Sequence, residues 1–276
     1  MNPDPMAKTR PARALVTGAS SGMGAALCRR LAARGVEVWL AARRVDKLAA
    51  EVAAIETAGG RAHALPLDVA DADATVARLE QLDDEVGGID LVVANAGAGG
   101  AKGALPMSSC PWPDARGLFQ INLLGAVATV MPFVPRMAAR GHGQIVGISS
   151  LAADLPNPRF AAYGASKAGL TFFLESIDME LRPRGVAVTI VHPGFVQTPM
   201  LAELTQLNER TPLALTAEQA ARIIDRGIER RARLVRFPWP LGLVSRLTNA
   251  LPRALTAPLV RKVTAERRGK SDLLKP

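Results

Sequence analysis

Two residues at positions 163 and 167 have side chains and a spacing that could move a proton. Tyr163 is the only tyrosine among the 276 residues, and Lys167 follows it at i+4, so a helix would place both on one face. A free phenol has a pKa of about 10 and is a poor base at neutral pH. Because a neighbouring ammonium group favours the phenolate, this pair could take up and release a proton as a general acid and base.

A glycine-rich stretch, TGASSGMG at Thr17–Gly24, has the composition of a pyrophosphate-binding loop. It follows an apolar run and opens an amphipathic one, which predicts a strand, a loop and a helix. Glycines at 18, 22 and 24 permit a tight turn, close approach to an anion, and close packing of the helix, whose N-terminus presents free N–H groups. The alternative is a glycine-rich turn without a ligand, which the strand–loop–helix context disfavours.

Short apolar runs alternate with amphipathic stretches through the first two thirds of the chain. This pattern predicts an α/β fold with a doubly wound parallel sheet of the Rossmann type in a single domain. The predicted strands are RALVTG, EVWLAAR, AHALPLDV, DLVVANAG, GQIVGISS, VAVTIVHPG and RLVRFP. The predicted helices include MGAALCRRLAARG, VDKLAAEVAAIETAG, ADATVARLEQLDDEV, LFQINLLGAVATVMPFV and a segment from about Tyr163 to Leu181. We expect a catalytic domain at 12–237, a disordered segment at 1–11 and an extension at 238–276.

Four motifs occur in a fixed order: TGASSGMG, NAG at 95–97, YGASK at 163–167 and PGFVQT at 193–198. Together they resemble the short-chain dehydrogenase/reductase family over about residues 12–235. The resemblance implies a sheet of about seven strands and a nicotinamide dinucleotide cofactor. The implied cofactor contacts are Gly18, Ser20, Ser21, Gly22, Met23 and Gly24 in the loop, Asp68 and Val69 at the adenine, Asn95, Ala96 and Gly97 in the central cleft, Tyr163 and Lys167, and Pro193, Gly194, Val196 and Thr198 at the nicotinamide.

The same resemblance implies a catalytic tetrad of Asn122, Ser150, Tyr163 and Lys167. Ser150 ends a predicted strand, and its hydroxyl would hold the substrate oxygen; Ser149 is the second candidate for this role. Asn122 would help to position Lys167 and a proton-relay water. Taken singly, a strand-end serine is more often a cap, so the prediction depends on the complete set.

The end of the second predicted strand bears on the choice of cofactor. NAD-dependent enzymes generally have a carboxylate there, which bonds the ribose 2′-hydroxyl. This chain has Ala42 followed by Arg43 and Arg44, and a guanidinium pairs well with a 2′-phosphate. We therefore expect NADP(H) rather than NAD(H), chiefly through Arg43. The alternative is a basic, solvated helix start.

Positive charge is concentrated in the last fifth of the chain. The net charge is +9, and residues 226–276 hold 13 Lys/Arg against 3 Asp/Glu. Leucines recur every fourth residue from Leu243 to Leu259, while Pro252 and Pro258 would break a helix into short amphipathic pieces. The favoured interpretation is packing on the enzyme itself or on a partner subunit, because many basic amphipathic helices only pack; the alternative is peripheral contact with an anionic membrane. Nucleic-acid binding is not expected, because no reader motif or aromatic interleaving is present.

The leading functional hypothesis is an NADPH-dependent reductase of a hydrophobic carbonyl compound, or the reverse alcohol dehydrogenase. A substrate lid at about 199–215 is rich in leucine and methionine, which fits an apolar substrate or simple packing of the lid. The alternatives are a 3-oxoacyl-(carrier protein) reductase and a nonenzymatic NADP(H)-binding regulator or scaffold. By analogy we expect a homodimer or homotetramer that pairs through the helices near Leu118 and Tyr163.

Targeting and metal signals are weak in this sequence. The polar, proline-broken N-terminus does not predict a signal peptide, and the uncharged run 117–135 is expected to be a buried helix. Two cysteines predict no disulfide framework, and three widely spaced histidines predict no metal site. A cytoplasmic location is the expectation, with membrane contact through the extension as its variant.

Overall fold

A seven-stranded, fully parallel sheet forms the centre of the computed structural model, which describes residues 11–99, 104–154, 156–205, 211, 213–243, 256 and 258. The strands are β1 Arg13–Thr17, β2 Glu37–Ala42, β3 Ala62–Pro66, β4 Leu91–Ala94, β5 Gly143–Ile148, β6 Val186–Pro193, β7 Val196–Gln197, β8 Leu215–Thr216 and β9 Leu234–Phe237. The sheet order is β3-β2-β1-β4-β5-β6-β9, and β7 pairs separately with β8. The predicted Rossmann-type α/β fold is confirmed.

Helices cover both faces of this sheet. They are α1 Gly22–Ala33, α2 Val45–Thr57, α3 Ala72–Val86, α4 Trp112–Phe119, α5 Ala126–Val130, α6 Phe133–Arg140, α7 Ala161–Leu181, α8 Pro199–Thr205 and α9 Ala217–Glu229. One apolar core joins the sheet to α1, α2 and α9, and a second joins it to α3, α5, α6 and α7. Because both faces are covered, β1 reads as a continuous apolar run in which Ala14, Leu15 and Val16 are fully buried.

The strand order reverses between β1 and β4. The chain runs outward from β1 to β3, returns to β4 on the other side of β1, and continues to β6 and β9. In open parallel sheets the crevice at the carboxyl ends of the strands at such a switch point is the usual ligand site. Thr17 ends β1 and Asn95 follows β4, so the predicted phosphate loop and the NAG motif meet there.

A long helical segment from Trp112 to Arg140 changes its winding in the middle. Residues Gln120–Gly125 form a π-helical turn between α4 and α5, and Asn122 lies within it, fully buried. Such turns often mark functional positions. The segment is long and apolar enough to span a bilayer, with a mean hydropathy of 1.6, yet half of its most apolar window is buried in the fold, as in a core helix.

The sequence predicted the strands of the main sheet and most of the helices, but not the short strands β7 and β8. All seven predicted strands form the sheet, whereas α9 was not predicted, and the helix expected near Leu118 begins at Trp112. Pro111 is the N-cap of this helix and Pro113 lies in its first turn, where proline is tolerated because its missing N–H has no partner to lose. Residues 1–10, parts of the predicted lid (206–210 and 212) and most of the extension lie outside the described residues.

Candidate active site

The glycine-rich loop adopts a backbone that side chains would obstruct. Gly18 has φ +67°, and a Cβ there would lie 2.7 Å from Ala96 Cα. At Gly24 a Cβ would lie 2.5 Å from Asn95 Nδ2 and 2.6 Å from the Gly18 carbonyl oxygen. Real Cβ atoms do not approach so closely, so both glycines are required by the packing of the loop on the NAG segment. The N-terminus of α1, with Ser21 at its cap, opens toward the cleft.

Asn95 and Thr17 fasten this loop to the neighbouring strand. Asn95 Nδ2 donates to the carbonyl oxygens of Thr17 (2.8 Å) and Gly18 (3.2 Å). In return, the Thr17 hydroxyl accepts from the backbone N–H groups of Asn95 (3.1 Å) and Ala96 (3.2 Å). Asn95 therefore holds the loop in place. Sequence reasoning did not single out Thr17, although its position at the end of β1, directly before Gly18, was a usable signal.

Two guanidinium groups flank the loop at the end of β2. Arg44 Nη2 donates to Ser20 Oγ at 2.8 Å and to Ser21 Oγ at 2.9 Å. Arg43 is two-thirds exposed, and its Nη1 lies 3.9 Å from a carboxylate oxygen of Asp68. The sequence suggested Arg43 as the main phosphate ligand, whereas the structure brings Arg44 onto the loop and leaves Arg43 at the rim.

Tyr163 and Ser150 meet in the cleft. The Ser150 hydroxyl, which caps a 3-10 turn at Leu151–Ala153 and accepts from Ala152 N at 3.1 Å, also hydrogen-bonds the Tyr163 phenol. Burial raises the pKa of Tyr163, and the Ser150 hydrogen bond partly opposes this. The expected lowering of the tyrosine pKa by Lys167 is therefore not seen in the protein alone. The phenol is held protonated, which suits a proton donor.

Lys167 is buried beside the phenol, one turn along α7. Its Nζ donates to the Ile148 carbonyl oxygen at 2.8 Å, and burial lowers the pKa of Lys167 from 10.5 to about 8. A Cβ on Gly97 would lie 3.6 Å from this Nζ and 3.2 Å from Asn122 Oδ1. The absent side chain at Gly97 thus leaves the lysine and the asparagine open to the same small space.

Asn122 contacts backbone and the neighbour of the lysine rather than the lysine itself. Its Oδ1 accepts from Ala98 N at 2.7 Å, and its Nδ2 donates to the Ala98 oxygen at 2.9 Å and to Ser166 Oγ at 3.2 Å. Asn122 therefore joins the π-helical turn to the loop after β4 and to α7. Ser166 directly precedes Lys167, and its hydroxyl donates to the Tyr163 carbonyl oxygen at 2.7 Å.

The two serine candidates point in different directions. Ser149 Oγ donates to the Lys167 carbonyl oxygen at 3.0 Å and lies 2.7 Å from Thr171 Oγ1, on the side away from the cleft. Ser150 Oγ faces Tyr163 instead. Only Ser150 is placed to touch a substrate oxygen near the phenol.

The far end of the cleft is built from β6, β7 and the start of the lid. Gly194 N donates to the Phe237 oxygen at 2.7 Å, which joins the PGFVQT segment to β9. Thr198 lies against Gly22, whose Cβ would be 3.0 Å from Thr198 Cγ2. Met200 reaches Gly99 beside Tyr163: a Cβ on Gly99 would lie 2.9 Å from Met200 Sδ and 3.4 Å from Tyr163 Cε2.

The remaining predicted contacts fall on the same rim or beneath it. Asp68 is exposed after β3, Val69 is buried against Gly125, Met23 packs on the core under the loop, and Pro193 and Val196 are buried at the end of β6 and in β7. Among the residues described, no group of three His, Cys, Asp or Glu side chains has the arrangement of a metal site. The cleft therefore combines an anion-binding loop and two guanidinium groups with a partly buried phenol, a hydroxyl and an amine. Such a set can bind a phosphorylated cofactor and exchange a proton at an oxygen.

The proteins that this chain resembles in sequence are described as dehydrogenases, oxidoreductases or reductases. A family model described as short chain dehydrogenase matches residues 12–209. An uncharacterized oxidoreductase of Myxococcus xanthus is 42% identical over 251 residues, which cover 91% of this chain and 96% of that protein. A fatty acyl-CoA reductase of Acinetobacter baylyi is 35% identical over 238 residues, which cover 86% of this chain and 79% of that protein.

Solved structures of similar fold contain either nicotinamide cofactor. A metagenomic short-chain oxidoreductase in complex with NADP is 32% identical, with a TM-score of 0.69 over 81% of this chain and 96% of that one. A short chain dehydrogenase/reductase from Burkholderia phymatum in complex with NAD has a TM-score of 0.78 at 23% identity, over 88% and 94% of the two chains. The second likeness concerns the fold alone.

Proposed function

The chain belongs to the short-chain dehydrogenase/reductase family, and on this premise we propose that it reduces a carbonyl group of an apolar substrate with NADPH, or oxidises the corresponding alcohol. Proteins of this family are oxidoreductases that act on small molecules and are typically oligomeric. The observation that carries the proposal is the partly buried Tyr163 phenol, hydrogen-bonded to Ser150 and one helical turn from Lys167, in the cleft beside the anion-binding loop.

The roles of the residues follow from their contacts. NADPH supplies a hydride to the carbonyl carbon when it is bound. Ser150 donates a hydrogen bond to the carbonyl oxygen, where negative charge develops, and Tyr163 transfers its proton to that oxygen. Burial raises the pKa of Tyr163, so the phenol enters the reaction with its proton and can act as the donor in reduction. Lys167 and Asn122 line the small space beside Gly97, and a proton relay would pass through that space.

The preference for NADP(H) rests on charge at the end of β2. Ala42 offers no carboxylate to a ribose 2′-hydroxyl, and Arg43 and Arg44 bring two guanidiniums to the rim of the loop. A guanidinium binds a phosphate through paired, charge-assisted hydrogen bonds. Arg44 is the stronger candidate, since its contacts with Ser20 and Ser21 already place it over the loop.

An apolar substrate is supported by the side chains at the open side of the phenol. Met200 lies against Gly99 beside Tyr163, and Leu151 follows Ser150 and approaches Gly194. The relative from Acinetobacter baylyi bears the name fatty acyl-CoA reductase, so thioesters belong among the candidate substrates with aldehydes and ketones.

A screen of NADPH oxidation with long-chain aldehydes, aryl and alkyl ketones, 3-oxoacyl thioesters and acyl-CoA thioesters tests this function. We expect turnover on at least one class, and we expect Tyr163→Phe to reduce kcat by about 10²- to 10⁴-fold while NADPH still binds. Tight NADPH binding without turnover on any class would favour the nonenzymatic regulator. Turnover confined to carrier-bound 3-oxoacyl thioesters would favour the carrier-protein reductase.

We also propose that the chain self-associates through its long helices. Leu124 and Met131 are exposed seven residues apart, and so are Phe172 and Met179 on α7. A seven-residue spacing places each pair on one helix face, and apolar side chains in such a position commonly pack against a second subunit. Phe172→Lys is expected to shift sedimentation toward the monomer. An unchanged sedimentation coefficient would contradict this interface.

Finally, we propose a cytoplasmic enzyme whose basic extension makes peripheral contact with anionic membranes. Trp239 and Leu243 begin the extension and are at least half exposed. Aromatic and leucine side chains beside arginines suit the interface of an anionic bilayer. The chain should float with anionic vesicles and not with zwitterionic ones, and equal behaviour with both would end this part of the proposal.

A further inference from the structure

A row of polar side chains lies beneath the active site, on the side that faces away from the cleft. It consists of Ser149, Thr171, His192, Asp154 and Arg236, and we refer to it as the polar row. Ser149 and His192 are 2% and 1% exposed, and Asp154 is 8% exposed. Among the contacts described above, none of these five residues touches the cleft, so a direct role in proton or hydride transfer does not explain why polar side chains are buried there.

The hydrogen bonds of the polar row have a definite direction. Ser149 Oγ donates its only proton to the Lys167 carbonyl oxygen at 3.0 Å, since a carbonyl can only accept. Thr171 Oγ1, 2.7 Å from Ser149 Oγ, must then be the donor in that pair. Thr171 has no second proton, so His192 Nε2, at 3.2 Å, must donate to Thr171. The row therefore fixes a proton on Nε2 of His192.

The other end of the row reaches two further elements. His192 Nδ1 lies 3.1 Å from Asp154 Oδ1, and Arg236 Nη2 donates to the same oxygen at 3.4 Å. Asp154 directly follows the 3-10 turn that Ser150 caps. Arg236 precedes Phe237, whose carbonyl oxygen accepts from Gly194 N.

Three segments that contribute a catalytic or nicotinamide-side residue thus have a member in the row: the turn that holds Ser150, α7 and the end of β6. Ser149 precedes Ser150, Thr171 lies one turn after Lys167 on α7, and His192 precedes the Pro193–Gly194 segment. We propose that His192 is a positioning residue for the hydride-transfer reaction, holding the Ser150 turn, α7 and the end of β6 in one arrangement. This inference rests on the proposed function, and it assigns His192 no contact with substrate or cofactor.

A second buried polar pair on the same two strands offers a matched control. Gln144 Nε2 near the start of β5 donates to Thr189 Oγ1 in the middle of β6 at 3.0 Å, and neither residue bonds to a member of the polar row in the contacts described. Thr171→Val and Thr189→Val are the same isosteric change and remove one buried hydroxyl each. A purely structural role would make the two variants equivalent.

The test compares kcat, KM and the NADPH dissociation constant of both valine variants, using the substrate class on which the wild-type enzyme turns over. We expect Thr171→Val to lower kcat by about 10- to 100-fold, because small misplacements of reacting groups have effects of that size, with NADPH affinity within about 2-fold. Thr189→Val should keep kcat within about 2-fold of wild type at a temperature where both variants are folded. Equal kcat values for the two variants would overturn the inference.

Two substitutions at His192 refine the test. Glutamine can place an amide N–H near the position of Nε2 and should restore part of kcat, whereas asparagine reaches only the Nδ1 position and should not. If asparagine retains more activity than glutamine, the direction assigned to the row is wrong. Absence of turnover in the wild-type enzyme would refute the proposed function itself, whereas an active wild type with an unaffected Thr171→Val refutes only the role of the row.

Discussion

Replacing Lys167 with methionine is predicted to abolish most of the turnover and to change the free energy of unfolding by an amount that depends on pH. Methionine is unbranched like lysine and carries no charge, so it can occupy the same buried path along α7. In the native protein burial lowers the lysine pKa from 10.5 to about 8. The native state therefore binds its proton less tightly than the unfolded chain.

The magnitude follows from this lowering. At pH 7 both states carry the proton, and keeping the ammonium charged in the interior costs about 3 kcal/mol. As pH rises from 8 toward 10.5, the native lysine is neutral while the unfolded one is still protonated, so the wild-type protein gains stability. Above 10.5 the cost is gone. The methionine variant lacks the cost at every pH, but it leaves the Ile148 carbonyl oxygen without its donor, which costs about 1–3 kcal/mol.

Urea unfolding of both proteins at pH 7 and pH 10.5 measures the effect. The free energy of unfolding of wild type, relative to Lys167→Met, is expected to rise by about 3 kcal/mol between the two pH values. At pH 7 the variant should be at least as stable as wild type and should have lost most of its turnover. Lys47→Met, an exposed change on α2, is the control and should stay within about 0.5 kcal/mol of wild type at both pH values. A pH-independent difference for Lys167→Met would show that the amine is not held in a costly environment.

Three further predictions concern the cofactor loop and the core. Arg44→Ala should lower the ratio of kcat/KM for NADPH to that for NADH by about 10- to 100-fold through loss of charge-assisted hydrogen bonds, while the exposed Arg61→Ala leaves the ratio unchanged. Gly24→Ala should weaken NADPH binding by at least about 10-fold in a fluorescence titration, because its Cβ would displace the loop; unaltered affinity would contradict the packing described. Asp225→Ala should lower the free energy of unfolding in urea by about 2–3 kcal/mol, because this carboxylate is 1% exposed and pairs with Arg30 and Arg34. A loss below about 0.5 kcal/mol would show that solvation of the two arginines replaces the ion pairs.

The sequence was informative where a residue type has few physical uses. Glycines at 18 and 24 were predicted from the turn and packing that a phosphate loop needs, and the structure has no room for a Cβ at either position. The spacing of Tyr163 and Lys167 predicted a shared helix face, because the helical period is fixed. Strand runs were also predicted well, since burial on both faces leaves a continuous apolar signature.

The features that escaped prediction depend on side-chain direction and on contacts distant in sequence. Ser149 and Ser150 are adjacent and chemically identical, and only the fold determines that one faces α7 and the other the phenol. The Lys167 amine was expected to acidify Tyr163, yet it bonds the Ile148 carbonyl oxygen, while burial raises the tyrosine pKa. No local pattern predicts the π-helical turn that buries Asn122, because its stability comes from bonds to Ala98 and Ser166.

The hydrogen bond between Gly194 and Phe237 has a consequence for synthesis of the chain. Among the described strands, β9 is the last to leave the ribosome, and its Phe237 carbonyl oxygen holds the Gly194 segment at the far end of the cleft. A nascent chain that has exposed the phosphate loop and even the Tyr163 helix still lacks this contact. Translation must therefore pass residue 237 before the far end of the cleft can form, and a fragment ending before Leu234 would have the glycine-rich loop without this strand.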